Sequence, residues 1–103
     1  MESKIYNAVI ERTSLGREDH GILSSMIHLE LDGGGVGFGG YCLKGTAAAD
    51  WLEQVLDTLE VDAWEKLPGQ RIRIDCEGWG GRCLAIGHFM KEKWFNPKEF
   101  WNK

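Results

Sequence analysis

The chain has 103 residues, 43% of them hydrophobic, with five Trp and four Phe, which is enough to fill one core and not two. Its net charge of −4 is uneven, since residues 1–65 carry 4 Lys/Arg against 12 Asp/Glu and residues 66–103 carry 8 against 4. No leader-like segment and no run approaching the roughly 18 apolar residues of a membrane span is seen, so one cytoplasmic domain away from the membrane is expected.

Residues 4–13 read as a first strand, with Ile5, Tyr6, Val9 and Ile10 favouring β structure. Residues 14–21 are polar, hold two glycines and read as a loop. A second strand spans 22–31, with Leu23, Ile27, Leu29 and Leu31 facing one way and Ser24, Met26, His28 and Glu30 the other. Asp32 followed by Gly33, Gly34 and Gly35 is a strong turn signal, so a hairpin should lead into a third strand over 36–43. Thr46 is placed to cap a helix over 47–59, whose apolar face carries Trp51, Leu52, Val55, Leu56 and Leu59. Asp50, Glu53, Asp57 and Glu60 form an adjoining acidic stripe. Asp62 is expected to cap a single turn through Trp64 and Leu67, and Pro68-Gly69 to make a tight turn.

Two further strands, 70–77 and 82–90, are joined by Gly78-Trp79-Gly80-Gly81. The first alternates Ile72, Ile74 and Cys76 inward with Arg71, Arg73, Asp75 and Glu77 outward. Asn96-Pro97 can start a short C-terminal helix with proline at its first position. The expected fold is α+β: a mostly antiparallel five-stranded sheet or partial barrel, one principal amphipathic helix and a short C-terminal helix.

Glycine is unfavourable inside a strand, because it packs nothing and loses the most backbone freedom on folding. Turn chemistry accounts for residues 33–35 but not for Gly37, Gly39 and Gly40. Those three supply a bulge, admit a neighbouring backbone or subunit, or offer bare N–H groups to a ligand, and close approach of a ligand or partner is the favoured expectation. Phe38 and Tyr41 lie beside them. No GK[ST] or Rossmann context surrounds the run.

His20, His28 and His88 are too dispersed to read as metal ligands, and Cys42, Cys76 and Cys83 lack CxxC spacing, so neither a metal nor a cofactor is expected. Buried reduced thiols are the expectation for the cysteines. Asp19-His20 is the one adjacent acid–imidazole pair, with no nucleophile placed for it, so no catalytic residue is assigned and His20 is taken as a ligand contact. Gly78-Trp79-Gly80-Gly81-Arg82 sets an indole and a guanidinium on pliant backbone, a pairing that suits an anionic aromatic ligand. Lys91, Lys93, Trp94 and Phe95 form a second basic–aromatic cluster, read mainly as packing.

Three stretches together resemble a family of small phage and prophage proteins: Thr13-Ser14-Leu15-Gly16 with Glu18-Asp19-His20-Gly21-Ile22-Leu23; Gly37-Phe38-Gly39-Gly40-Tyr41-Cys42; and Gly78-Trp79-Gly80-Gly81 through Ile86-Gly87 to Lys93-Trp94-Phe95. Trp64-Glu65-Lys66-Leu67-Pro68-Gly69 belongs to the same pattern. The family is that of the first Thoeris anti-defence proteins. The resemblance implies a protein that sequesters a cyclic nucleotide signal, of the cyclic ADP-ribose type or a cyclic oligonucleotide, without cleaving it. It also implies a homo-oligomer, from dimer up to hexamer, acting in the cytoplasm of an infected bacterial host. On the residues' own chemistry, Phe38 or Trp79 would stack on the ligand, Arg71, Arg73 or Arg82 would hold phosphate, and the 37–40 run would allow close approach. The competing expectation is a protein inhibitor of a nuclease or CRISPR complex, with the acidic stripe imitating nucleic acid. Direct binding of DNA or RNA is not expected.

Overall fold

The structure, a computed structural model, describes residues 4–17, 20–40, 43, 45–77 and 82–101. Its strands are β1 (Lys4–Arg17), β2 (Leu23–Leu31), β3 (Gly34–Gly40), β4 (Arg71–Cys76), β5 (Cys83–His88) and β6 (Trp94–Phe95). Helix α1 (Gly45–Leu59) lies between β3 and β4, and α2 (Pro97–Trp101) follows β6. All pairings are antiparallel, and the order across the sheet is β3-β2-β1-β4-β5-β6.

Two expectations about the sheet are corrected first. The sheet has six strands and not five, because Trp94 and Phe95 pair with Gly87 and Ile86; a two-residue strand is too short to show any alternation. The sheet is open and not a partial barrel. Its edge β3 curls back toward β5, but no backbone ladder joins them among the described residues. Side chains fill the gap instead, with Phe38 set edge-on to Phe95 at 6.0 Å between ring centres.

β1 is also longer than the polar character of residues 14–17 suggested. Arg17 still pairs with Leu23, and Ser25 donates its hydroxyl to the Ser14 carbonyl at 3.0 Å, so the loop shortens. Asp32 and Gly33 alone make the β2–β3 turn, with Gly33 at φ +90°, a value that glycine adopts without steric cost. In the second turn Gln70 N–H bonds to the Leu67 carbonyl at 3.1 Å, with Pro68 and a positive-φ Gly69 in between, as a type II turn requires.

Helix α1 begins at Gly45, so Thr46 lies within its first turn and is not its cap; Gly45, at φ +50°, bends the chain into the helix. A single 3-10 turn covers Trp64–Lys66, and the residue before it is Ala63 with no side-chain cap, which corrects the role given to Asp62. Asn96 does cap α2, its side-chain oxygen accepting from Glu99 N–H at 3.2 Å, and Pro97 is the first helical residue.

Trp51, Val55 and Leu59 of α1 are buried against Ile10, Ile27, Leu29, Ile72, Ile74 and Ile86 of the sheet. Full burial of a side chain of this size contributes about 1.5–3 kcal/mol, so this one apolar stripe can hold the helix down. Phe38 stacks on Trp51 at 5.8 Å, and Phe95 stands edge-on to both rings. Ile5, Val9 and Met26 stay exposed on the opposite face of the sheet.

Candidate functional site

β3 is built almost wholly of glycine at one edge of the sheet, and the structure gives each inner glycine a neighbour. Phe38 and Gly40 face the core, while Gly37 and Gly39 face outward. A Cβ on Gly40 would lie 2.8 Å from Trp51 Cε2, so the indole occupies the space that any side chain there would take. A Cβ on Gly37 or Gly39 would come within 2.8 Å of the Met26 thioether. Within the chain, Trp51 thus approaches closely on one face of the strand and Met26 on the other, whereas sequence suggested close approach of a ligand or partner.

The curl of the sheet leaves a cleft of about 990 Å³ between the free edge of β3 and the end of β5 with α2. Gly37, Phe38 and Gly39 form one wall, and Arg82 and Lys98 supply cations to the other side. Glu77 and Glu99 also line it, so the lining carries two charges of each sign. The mixed signs suit a ligand with anionic and hydrogen-bonding groups together better than a bare polyanion. A smaller depression of about 560 Å³ lies over the β2–β3 turn and carries Glu11 and Glu30, which repel an anion.

Of the residues nominated from sequence, the cleft brings together Gly37, Phe38, Gly39 and Arg82. Gly40 faces Trp51. Phe38 is only 2% exposed, with its ring held by Trp51 and Phe95, so a ligand meets the strand backbone before the ring. Tyr41 and Trp79 lie outside the described residues, although Glu77 and Arg82, which flank residues 78–81, both line the cleft. His20 sits exposed in the β1–β2 turn, and Arg71 is exposed on the outer face of β4; neither lines the cleft.

Arg73 is committed elsewhere. Its Nε and Nη2 donate to the carbonyls of His88 at 2.9 Å and Lys91 at 2.6 Å, and its Nη1 is 3.1 Å from a Glu92 carboxylate oxygen. The same guanidinium sits 4.9 Å above the Trp94 ring. Hydrogen bonding to Arg73 holds the Glu92 carboxyl below the usual carboxylate range. Arg73 therefore clasps the turn over residues 88–93. Trp94 lies on Gly87, where a Cβ would come 2.6 Å from the indole, and Phe95 belongs to the core, so this basic–aromatic cluster is packing.

The acidic stripe is also shorter than its sequence. Asp50, Glu53 and Asp57 are exposed on α1, but Glu60 lies beyond the helix end, and its carboxylate accepts from Lys91 at 2.9 Å and Lys93 at 3.1 Å. These bonds pull the Glu60 carboxyl down to about 2.

No family model, curated protein or solved structure matches this chain. Glu77, Lys98 and Glu99 are the charged lining residues that sequence reasoning missed, and Cys83, Leu84, Asn96 and Pro97 line the cleft without having been nominated either. The excess of Lys/Arg after residue 65 was the one available signal for Lys98, and it names no position. Among the described residues, no three His, Cys, Asp or Glu side chains are grouped to hold a metal, and no helix is long and apolar enough to cross a membrane.

Proposed function

We propose that the chain binds and sequesters a cyclic nucleotide signal, a cyclic ADP-ribose isomer or a cyclic oligonucleotide, in the cleft between β3 and the β5–α2 edge, and does not cleave it. One observation carries this reading: glycine backbone at a strand edge that no other described strand pairs lines the same nucleotide-sized cleft as Arg82 and Lys98. A free strand edge presents N–H and C=O groups suited to the polar edges of a base or ribose. Arg82 can take a phosphate through two parallel N–H bonds, and Lys98 adds a point charge. A protein that acts by lowering a free signal needs tight retention and slow release, which such positioning supplies without chemistry. The motif resemblance points the same way, toward an anti-defence role in an infected bacterial cell.

The test is retention followed by recovery. Purified protein is equilibrated with a cyclic ADP-ribose isomer or a cyclic trinucleotide, separated from free ligand and heat-denatured; intact nucleotide should be released. Arg82→Ala should weaken binding by about ten- to a hundredfold, the loss expected for a hydrogen bond to a charged group. Arg73→Ala should leave affinity unchanged. Absence of retained nucleotide, or a cleaved product, would overturn the proposal.

A further inference from the structure

Two cysteines that the binding reading does not use stand opposite each other at the end of the β4–β5 hairpin. Cys76 and Cys83 are cross-strand partners, just past an irregularity that shifts the register between Asp75 and Cys76. The next pair out, Glu77 and Arg82, is joined by a backbone bond of 3.0 Å from Glu77 N–H to the Arg82 carbonyl. That bond assigns Cys76 and Cys83 to the non-hydrogen-bonded position, whose Cα atoms in a regular ladder lie about 4.5 Å apart. This separation is within the range of about 4.4–6.8 Å that a disulfide spans without moving the backbone. Both thiols are free and buried, and Cys83 donates its S–H to the Ala85 carbonyl at 3.5 Å. Cys83 also lines the cleft, which gives a small reagent a route to an otherwise buried pair.

We propose that Cys76 and Cys83 are a modification site: a cross-strand dithiol that low-molecular-weight disulfides of the glutathione type convert reversibly to a disulfide within the folded chain. Cys83 as thiolate attacks one sulfur of the small disulfide, breaking its S–S bond and expelling one thiolate. Cys76 as thiolate then attacks the Cys83 sulfur of the mixed disulfide, forming the Cys76–Cys83 bond and expelling the second thiolate. The two cysteines lose two electrons, the small disulfide gains them, and the two cysteine protons end on the released thiolates. Burial raises both thiols above the ordinary cysteine value, so the dithiol is the resting form in reducing surroundings and exchange is slow. The bridge fixes the spacing of Glu77 and Arg82, and so sets one wall of the cleft. This inference holds whatever the cleft contains.

The experiment compares the native chain with the chain in concentrated urea across one series of reduced and oxidised glutathione ratios. Samples are acid-quenched, alkylated and digested with trypsin. Cleavage after Arg73, Arg82 and Lys91 separates the two cysteines onto peptides 74–82 and 83–91. The expected product is these two peptides joined by a bond that a reductant releases. Native chain should reach half-oxidation at glutathione ratios about tenfold more reducing than unfolded chain does, because the fold holds the sulfurs together. Cys42→Ser should leave this unchanged. Any of three results overturns the proposal: a native dithiol that persists where unfolded chain is oxidised, glutathione trapped on Cys83 without bridging, or a bridge from Cys42.

Discussion

Glu60 is the one described non-glycine residue with a positive φ, at 56°, immediately after the last residue of α1. Two backbone bonds stop the helix around it, from Glu60 N–H to the Asp57 carbonyl and from Val61 N–H to the Leu56 carbonyl. Glycine usually fills this position, since other side chains crowd the carbonyl there. Here the carboxylate is tied instead to Lys91 and Lys93, with His88 Nε2 3.6 Å away, so the helix stop is anchored to the turn after β5. The folded carboxyl is lowered from 4.5 to about 2. A lowered folded value stabilises the protein above the unfolded value, and that contribution fades as pH falls from 4.5 through about 2. Urea midpoints measured down this window should therefore drop more steeply for the natural chain than for Glu60→Gln. Equal slopes would show that the lysines contribute nothing through Glu60.

At the scale of the strand, β3 separates the uses of glycine that its sequence confounds. Gly40→Val would force a branched side chain into the Trp51 indole and should cost about 1–3 kcal/mol in urea unfolding, as overpacked core sites do. Gly37→Ala meets only the exposed Met26 side chain, which can swing away, so its effect should stay within about 0.5 kcal/mol. Gly39 is intermediate, because its Cβ would also approach the Ser25 carbonyl oxygen at 3.1 Å. If Gly37→Ala proved as damaging as Gly40→Val, Met26 would not be the yielding neighbour described. The strand's alternation was readable beforehand, and so was α1, from the spacing of Trp51, Val55 and Leu59. The identity of each glycine's neighbour was not, because Trp51 reaches Gly40 only once the helix has crossed the sheet.

For the molecule as a whole, strand order governs both stability and site. β2, β1 and β4 are flanked by ladders on both sides, whereas among the described residues β3 is bonded along one edge. Amide exchange should be slowest in β1 and β4, and faster by at least about a hundredfold at the β3 amides that face away from β2. Uniform protection across β3 would mean that its outer edge is covered in solution. Turn chemistry at Gly33 and Gly69 and the proline at position 97 made much of the element order legible. Residues 14–17 were not legible as strand, since only pairing with β2 makes them so, and β6 was too short to leave a pattern. The cleft was legible in part: Gly37, Gly39 and Arg82 were singled out by residue type. Arg73 looked equivalent to Arg82 because both are arginines of the same hairpin, and only three-dimensional placement gives one to a turn and the other to the cleft.

The double pairing of β1 has a consequence for the order in which the chain is made. Residues 9–17 find their partner in β2 within a few residues of leaving the ribosome, but residues 4–9 pair with β4, whose residues are made some 65 positions later. Ala8 and Ile10, both buried in the finished protein, thus stay partly uncovered until β4 has been made. That stretch must wait, with one side unpaired, until the β4 residues have been added to the chain.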